Sequence, residues 1–169
     1  MDQNQTKSQV AEFYEEFQSR GKYDYLYGDE ERKNLYVELI GKGHRILEVG
    51  CRAGNLTQYY HEGNEVVGVD VDRNALKEFE KRLGLEGHWV DVDSEDLPFG
   101  DGEFDVVVFS EVMEHLRFPQ KALEEICRVL KPGGRLVGSV PNAFRLRNRM
   151  KFLFGKPFEV DASHLRFYS

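Results

Sequence analysis

The sequence predicts an α/β fold in which a doubly wound, mostly parallel sheet carries helices on both faces. Short apolar runs at Arg45–Val49, Glu65–Val69 and Asp105–Ser110 alternate with stretches of helical periodicity, the pattern of βαβ units. One run, FDVVVF at residues 104–109, is apolar enough to be buried on both faces of a sheet. Glycines follow the runs where a strand must turn into a helix.

The elements follow in order. Val10, Phe13, Tyr14 and Phe17 recur at helical spacing, so residues 7–17 read as an amphipathic helix. Residues 19–28 are turn-like and carry Tyr23, Tyr25 and Tyr27. A second helix is expected over Asp29–Ile40, with Leu35, Tyr36, Leu39 and Ile40 inward and Gly41 and Gly43 ending it. The strand Arg45–Val49 leads through a glycine turn into a helix containing Leu56 and Tyr59, and the strand Glu65–Val69 into a helix over Asp72–Leu83. His88–Val92 reads as a short third strand and Asp105–Ser110 as the fourth. Pro119–Leu130 is a helix with Ala122, Leu123, Ile126, Val129 and Leu130 as its apolar stripe, stopped by Lys131, Pro132, Gly133 and Gly134. Arg135–Val140 is the fifth strand. Right-handed crossovers then place a ligand beyond the carboxyl ends of the strands, in the loops after Val49, Val69, Val92, Phe109 and Val140.

At 169 residues the chain has room for one domain: helices over 1–43, a cofactor-binding core over 44–142 and a basic, aromatic, lid-like segment over 143–169. A net charge of -7 makes the surface a poor attractor for a polyanion, so nucleic acid is not an expected partner. Cys51 and Cys127 have neither disulfide nor metal-ligand spacing, which suits a reducing compartment. Neither a signal peptide nor a membrane span is expected, and the cytoplasm is the expected location.

The candidate ligand loops concentrate the chemistry. In ILEVGCRAGNL, residues 46–56, Glu48 ends a strand while Gly50 and Gly54 allow close backbone approach to a ligand. Asp70 ends the next strand, where a carboxylate accepts from the vicinal hydroxyls of a ribose. These two features indicate a nucleoside-containing cofactor without choosing its type. Asp91, Asp93, Glu95 and Asp96 crowd the third loop, a poor neighbourhood for a pyrophosphate and a tolerable one for a cationic sulfonium.

Glu48-x-Gly50-x-x-x-Gly54, the GVD ending in Asp70, DSEDLPF with Asp93, FDVVVFSEVMEHL and VLKPGG occur in the order and spacing of a class I S-adenosylmethionine-dependent methyltransferase, which residues 23–142 resemble. The likeness is greatest to the branch that includes quinone-biosynthesis, methionine-biosynthesis-associated and cell-surface-glycan methyltransferases. It implies a Rossmann-like sheet and S-adenosyl-L-methionine as cofactor. It also implies roles: Glu48 near the cofactor's amino group, Gly50, Cys51 and Gly54 along its amino-acid moiety, and Asp70 on the ribose. Asp93 would meet the adenine amine, with Ser94 and Leu97 nearby and Val71 against the adenine face. Ser110, Glu111 and Val112 would lie beside the transferred methyl. One position departs from the pattern, because Arg52 stands where the family has a middle glycine.

Methyl transfer needs an aligned acceptor and often a base. Glu111, Glu114 and His115 would share one side of a helix at i, i+3 and i+4, with His115 as general base. Two other readings stay open: the trio holds a divalent cation, as the Glu-x-x-Glu-His arrangement of related O-methyltransferases implies, or Glu114 and His115 only cap the helix. No metal ligand is assigned. The expected acceptor is a small molecule, lipid or glycan, with oxygen as the atom methylated. Arg145, Arg147, Arg149 and Lys151 interleave with Phe144, Leu146, Met150, Phe152, Leu153 and Phe154, a segment suited to covering an acceptor or touching an anionic lipid surface. His164 and Arg166 resemble a family segment that closes over the site. The family's last helix and antiparallel strand pair are missing from the pattern, and the sheet edge this leaves suggests a homodimer. The alternatives are a domain that binds the cofactor without catalysis and a nicotinamide-dependent oxidoreductase.

Overall fold

A computed structural model of the chain describes residues 30–156 and 164–168. The helix expected over residues 7–17 and the turn carrying Tyr23, Tyr25 and Tyr27 lie outside the described residues. Helix α1 (Glu30–Ile40) leads into β1 (Arg45–Val49), followed by β2 (Glu65–Asp70), α2 (Arg73–Leu83), β3 (Glu86–Trp89), β4 (Phe104–Ser110), α3 (Pro119–Val129), β5 (Leu130–Ser139) and α4 (Leu146–Leu153). The strands form one sheet in the order β3-β2-β1-β4-β5, and every pairing is parallel. The order reverses between β1 and β4, so the carboxyl ends of these two strands flank the crevice where an open α/β sheet binds its ligand.

Side chains alternate across the sheet and divide the core into two layers. Leu47, Val49, Val67, Val69, Val107 and Phe109 pack with Ala122, Ile126 and Val129 of α3. Ile46, Val66, Val106, Val108 and Val137 pack with Tyr36 and Ile40 of α1 on the other face. Phe79 and Leu76 of α2 enclose Cys51 on that second side. Asp72 caps α2, accepting from the backbone N–H groups of Asn74 and Ala75, and Gly84 ends the helix with φ of 66°. Among the described residues no helix is long and apolar enough to cross a membrane.

Four local expectations need correction. The helix expected through Leu56 and Tyr59 is reduced to a single 3-10 turn, Thr57–Tyr59, because Thr57 and Tyr60 both donate their hydroxyls to Glu48 and hold the chain against β1. In α1, Leu35 and Leu39 are exposed; only Tyr36 and Ile40, one turn apart, meet the sheet. Strand β3 lies at Glu86–Trp89, two residues before the apolar run, since Glu86 pairs with Val67 and the backbone bends at Asp91, whose carbonyl accepts from Ser94 and Glu95. The LKPGG turn belongs to β5 as a bulge: Leu130 pairs with Phe104, and pairing resumes at Arg135 with Val106.

Gly68 couples the sheet to the loop after β1. A Cβ there would lie 2.6 Å from the Cys51 Sγ and 2.9 Å from the Phe79 ring, so α2 can approach β2 only over a bare backbone. Gly68→Ala is expected to destabilise the fold by about 1–3 kcal/mol, the usual cost of overpacking a filled core. The urea midpoint checks this, and an unchanged midpoint would mean that Cys51 and Phe79 can move aside freely.

Candidate functional site

The carboxyl ends of β1 and β2 carry Glu48 and Asp70, and the loop after β3 carries Asp91 and Asp93, all four as buried carboxylates. Such groups survive burial only when hydrogen-bonded or neutralised. Glu48 takes the Thr57 and Tyr60 hydroxyls on one oxygen. Burial still pushes its carboxyl up to about 7, against those two hydrogen bonds and with help from the Asp70 charge. Asp70 accepts the Arg52 N–H on one oxygen and the Asp72 N–H on the other, each at 2.8 Å. Its carboxyl is nonetheless raised, first by burial. The Cys51 thiol is also pushed up, by burial and then by the Asp70 and Glu48 charges.

The glycine turn is hooked onto the end of β2 by the N–H groups of Gly50 and Cys51, which both donate to Val69 O, at 2.8 and 3.1 Å. Gly50 has φ of 80°, and a Cβ on it would lie 2.3 Å from a methyl of Val112. The bare backbone therefore faces the loop after β4. At Gly54 a Cβ would lie 2.4 Å from Leu83, so its lack of side chain also serves the packing of α2. Arg52 stands at φ of 48°, in the left-handed region its family glycine would favour, and is held there by the bond from its N–H to Asp70.

Asp93 is engaged within the protein. It accepts from Arg117 Nε at 3.1 Å and from the Phe118 N–H at 2.8 Å, tying the loop after β3 to the start of α3. Ser94 is exposed, its N–H bonded to Asp91 O. Val71 is half-buried, and its carbonyl accepts the Trp89 indole N–H at 2.7 Å.

The expected trio of Glu111, Glu114 and His115 does not form. Only a 3-10 turn, Met113–His115, stands between Glu111, with φ of 56°, and the extended Leu116 that leads to α3. Without a full helical turn, Glu111 and Glu114 diverge. Glu111 accepts from Arg32 of α1 at 2.8 Å and from the Ser139 hydroxyl at 2.7 Å. Arg32 also reaches Ser110 at 3.1 Å, and Tyr36 donates its hydroxyl to Ser110 at 2.8 Å. Ser110 thus belongs to a network that seals α1 onto the ends of β4 and β5.

Glu114 turns inward and is buried between two imidazoles, with His115 Nε2 at 3.9 Å and His164 Nε2 at 4.0 Å from one carboxylate oxygen. The two rings pack edge to face at 4.8 Å between centroids. One ligand atom from each of Glu114, His115 and His164 lies within 4.8 Å of the others, a donor set of the size a divalent cation needs. Residues 164–168 form a strap over this turn. The Leu165 N–H donates to Glu114 O at 2.8 Å, Arg166 donates to Arg117 O at 2.9 Å, and Ala143 N–H donates to Tyr168 O at 2.9 Å. A cavity of about 500 Å3 opens beside the strap between Met113, Leu123 and Phe167.

The sequence reading missed Arg32, Tyr36, Ser139 and Arg117. Arg32 and Ser139 carry no local signal, since a polar residue on a helix or at a strand end looks like any solvated one. His164 did carry a signal, the SHLRFYS segment, and the structure brings it to His115 rather than leaving it in a separate lid.

A profile of the methyltransferase domain matches residues 47–138, more than half of the chain. The chain is similar to the ubiquinone/menaquinone biosynthesis C-methyltransferase UbiE of Azotobacter vinelandii, 35% identical over 116 residues that cover 62% of this chain and 46% of the relative. It is similar to a demethylmenaquinone methyltransferase of Renibacterium salmoninarum, 36% identical over 108 residues, covering 62% of this chain and 45% of the relative. The chain spans about half the length of the curated relatives it matches. Among solved structures it is similar to the YcgJ protein from Bacillus subtilis, with a TM-score of 0.66 and 23% identity over 83% of this chain and 63% of that one. An S-adenosylmethionine dependent methyltransferase from Mesorhizobium loti aligns with a TM-score of 0.57 and 22% identity, covering 64% of this chain and 52% of that one. At these identities the structural likeness is one of fold.

The raised Glu48 carboxyl gives the fold a pH dependence of definite sign. Below about pH 4.5 the group is neutral in both folded and unfolded chains and burial costs nothing from this source. Between about 4.5 and 7 the folded chain keeps a proton that the unfolded chain releases, so stability falls as pH rises, and above 7 the loss is complete. Glu48→Gln keeps an acceptor for Thr57 and Tyr60 without the charge. It is expected to gain about 3 kcal/mol of stability on the wild type between pH 4.5 and 8, read from urea unfolding across that range. Parallel pH profiles for the two proteins would remove Glu48 as the source.

Proposed function

The chain belongs to the methyltransferase-domain family, in its class I S-adenosylmethionine-dependent branch, and from this we propose that it binds S-adenosylmethionine over the carboxyl ends of β1 and β2 and methylates a hydroxyl of a small-molecule, lipid or glycan acceptor. The observation that carries this reading is electrostatic. Glu48 and Asp70 are buried beside the glycine turn that leaves β1, next to the point where the strand order reverses, and Asp91 and Asp93 are buried in the loop after β3. That setting repels a pyrophosphate and favours a ligand bearing a sulfonium and an ammonium, which argues against a nicotinamide cofactor.

The residues fit such a group. Asp70 keeps one lone pair on each oxygen beyond the two backbone bonds, enough to accept both ribose hydroxyls. Glu48 lies where an ammonium would draw its carboxyl back to the charged form. Gly50 offers bare backbone, and Val112 over it marks the end nearest the β4 loop. When bound, the cofactor supplies a methyl group already activated on sulfur. The protein's share is then to align the acceptor and take its proton. We assign the proton to His115, which lies 3.9 Å from the buried Glu114 carboxylate and packs edge to face on His164. The acceptor oxygen takes the methyl group as its O–H bond gives up the proton. One relative is named for carbon methylation in ubiquinone and menaquinone biosynthesis and the other for demethylmenaquinone; a ring hydroxyl is common ground between that chemistry and ours, because its deprotonation activates oxygen and ring carbon alike. A cytoplasmic setting, with the two thiols reduced, goes with this reading.

The position of three ligand atoms within 4.8 Å favours one variant of it, in which Glu114, His115 and His164 hold a divalent cation that orients the acceptor oxygen. Chelation followed by readdition of Mg2+, Mn2+ or Zn2+ separates the two: activity that survives chelation supports the base, and activity that returns only with metal supports the cation.

Calorimetric titration with S-adenosylmethionine, S-adenosylhomocysteine and NAD tests the cofactor, with micromolar binding of the first two and none of NAD as the expected outcome. Asp70→Ala is expected to weaken S-adenosylhomocysteine binding roughly 10- to 100-fold, the worth of charged hydrogen bonds. Unchanged affinity would take Asp70 out of the site. His115→Ala is expected to lower kcat while leaving that affinity within about twofold. Binding without turnover in the wild type, across phenols, quinols, lipids and glycans, would favour a cofactor-binding domain that has lost catalysis.

A further inference from the structure

Helix α4 is amphipathic in the inverted sense. Asn148 faces the body of the protein, 3% exposed, with its side-chain amide donating to Ala143 O at 2.9 Å. The opposite side presents Leu146 and Leu153, 72% and 75% exposed, with Met150 between them at i, i+4 and i+7. Phe154 continues that side at 73% exposure. A helix of a soluble domain turns its apolar stripe to the core; this one turns it outward. Contiguous exposed apolar side chains of this size mark a contact surface.

The charge around the stripe says what kind of surface it meets. Residues 144–156 include Arg145, Arg147, Arg149, Lys151 and Lys156 and no acid, within a chain whose net charge is -7. We propose that α4 docks the protein on an anionic lipid bilayer, with Leu146, Met150, Leu153 and Phe154 entering the headgroup boundary and the flanking cations meeting lipid phosphates. An interfacial helix has this composition, an apolar face bordered by Lys and Arg. A polyanion such as RNA would use the cations but give no reason for the outward leucines. The docking surface is tied to the candidate site: α4 follows Ala143, whose N–H holds Tyr168, and the same strap holds Glu114 through Leu165. Leu165 and Phe167 of the strap are themselves more than half exposed. Docking would therefore set the mouth of the site against the membrane, a position suited to an acceptor dissolved in lipid. That last step rests on the methyltransferase reading; the docking does not.

Flotation of the full chain with phosphatidylcholine vesicles, and with vesicles containing about 30% phosphatidylglycerol, tests the proposal. Binding to the anionic vesicles is expected to exceed binding to the neutral ones by at least about tenfold and to fall with added salt. Leu146→Glu with Leu153→Glu, both at exposed positions, is expected to abolish binding while leaving the thermal unfolding midpoint and S-adenosylhomocysteine affinity unchanged. Arg149→Gln is expected to weaken binding to the anionic vesicles alone. No flotation, or equal flotation with both vesicle types, would overturn the proposal. So would retention by the double variant, or a dimer in solution that the double variant converts to monomers without any vesicle binding, which would make a second copy the occupant. A loss of cofactor affinity in the wild type would sink the methyltransferase reading and leave the vesicle result standing.

Discussion

The carboxylate of Asp70 joins two loops that the sheet alone would leave independent. One oxygen holds the Arg52 N–H after β1, and the other holds the Asp72 N–H at the cap of α2. With the Gly50 and Cys51 N–H bonds to Val69 O, that clamp fixes the glycine turn over the end of β2, and it keeps Arg52 in a left-handed conformation that costs a residue with a Cβ about 1 kcal/mol. It also draws the Asp72 backbone into place to cap α2. The arginine in the middle of the turn, the one departure from the family pattern, is thus accommodated by a backbone bond that does not depend on its side chain.

The clamp has an electrostatic consequence. Asp70 must stay buried to make both bonds, and it shares its surroundings with Glu48, whose own carboxyl rises to about 7. The Asp70 charge adds to the cost of ionising Glu48, so a bound cation would favour the charged form of Glu48. The acceptor side is organised differently. There Arg32 answers Glu111, and two imidazoles surround Glu114.

Much of the fold was legible because it depends on periodicity. The alternation of apolar runs and helical stretches indicated the five strands, and the FDVVVF run of β4 pointed to a sheet buried on both faces. The failures share a cause as well. The helix through Leu56 is lost to two hydroxyls that reach Glu48, and the register of β3 is set by its pairing with β2; neither partner is local in sequence. The packing of Gly54 against Leu83, 29 positions later, was likewise invisible in its local sequence. The trio Glu111, Glu114 and His115 failed for a more specific reason. Helical spacing presumes a helix, and the positive φ at Glu111 together with the proline that starts α3 leaves room for only one tight turn. The true neighbour of His115 comes from residue 164, which spacing could never have indicated.

That long-range pairing links the chemistry of the site to its surroundings. The turn at Met113–His115 closes on itself with the His115 N–H on Val112 O and the Leu116 N–H on Met113 O. Its geometry is completed from outside, by Leu165 on the Glu114 carbonyl and Arg166 on the carbonyls of Leu116 and Arg117. The strap is anchored in turn at Asn142 and Ala143, the connection that launches α4. A force on α4 would therefore reach His115 through two backbone contacts, Ala143 to Tyr168 and Leu165 to Glu114. It would also reach the cofactor side, since Arg117, whose carbonyl holds Arg166, donates its own side chain to Asp93, while Asp70 clamps the glycine turn from the other end.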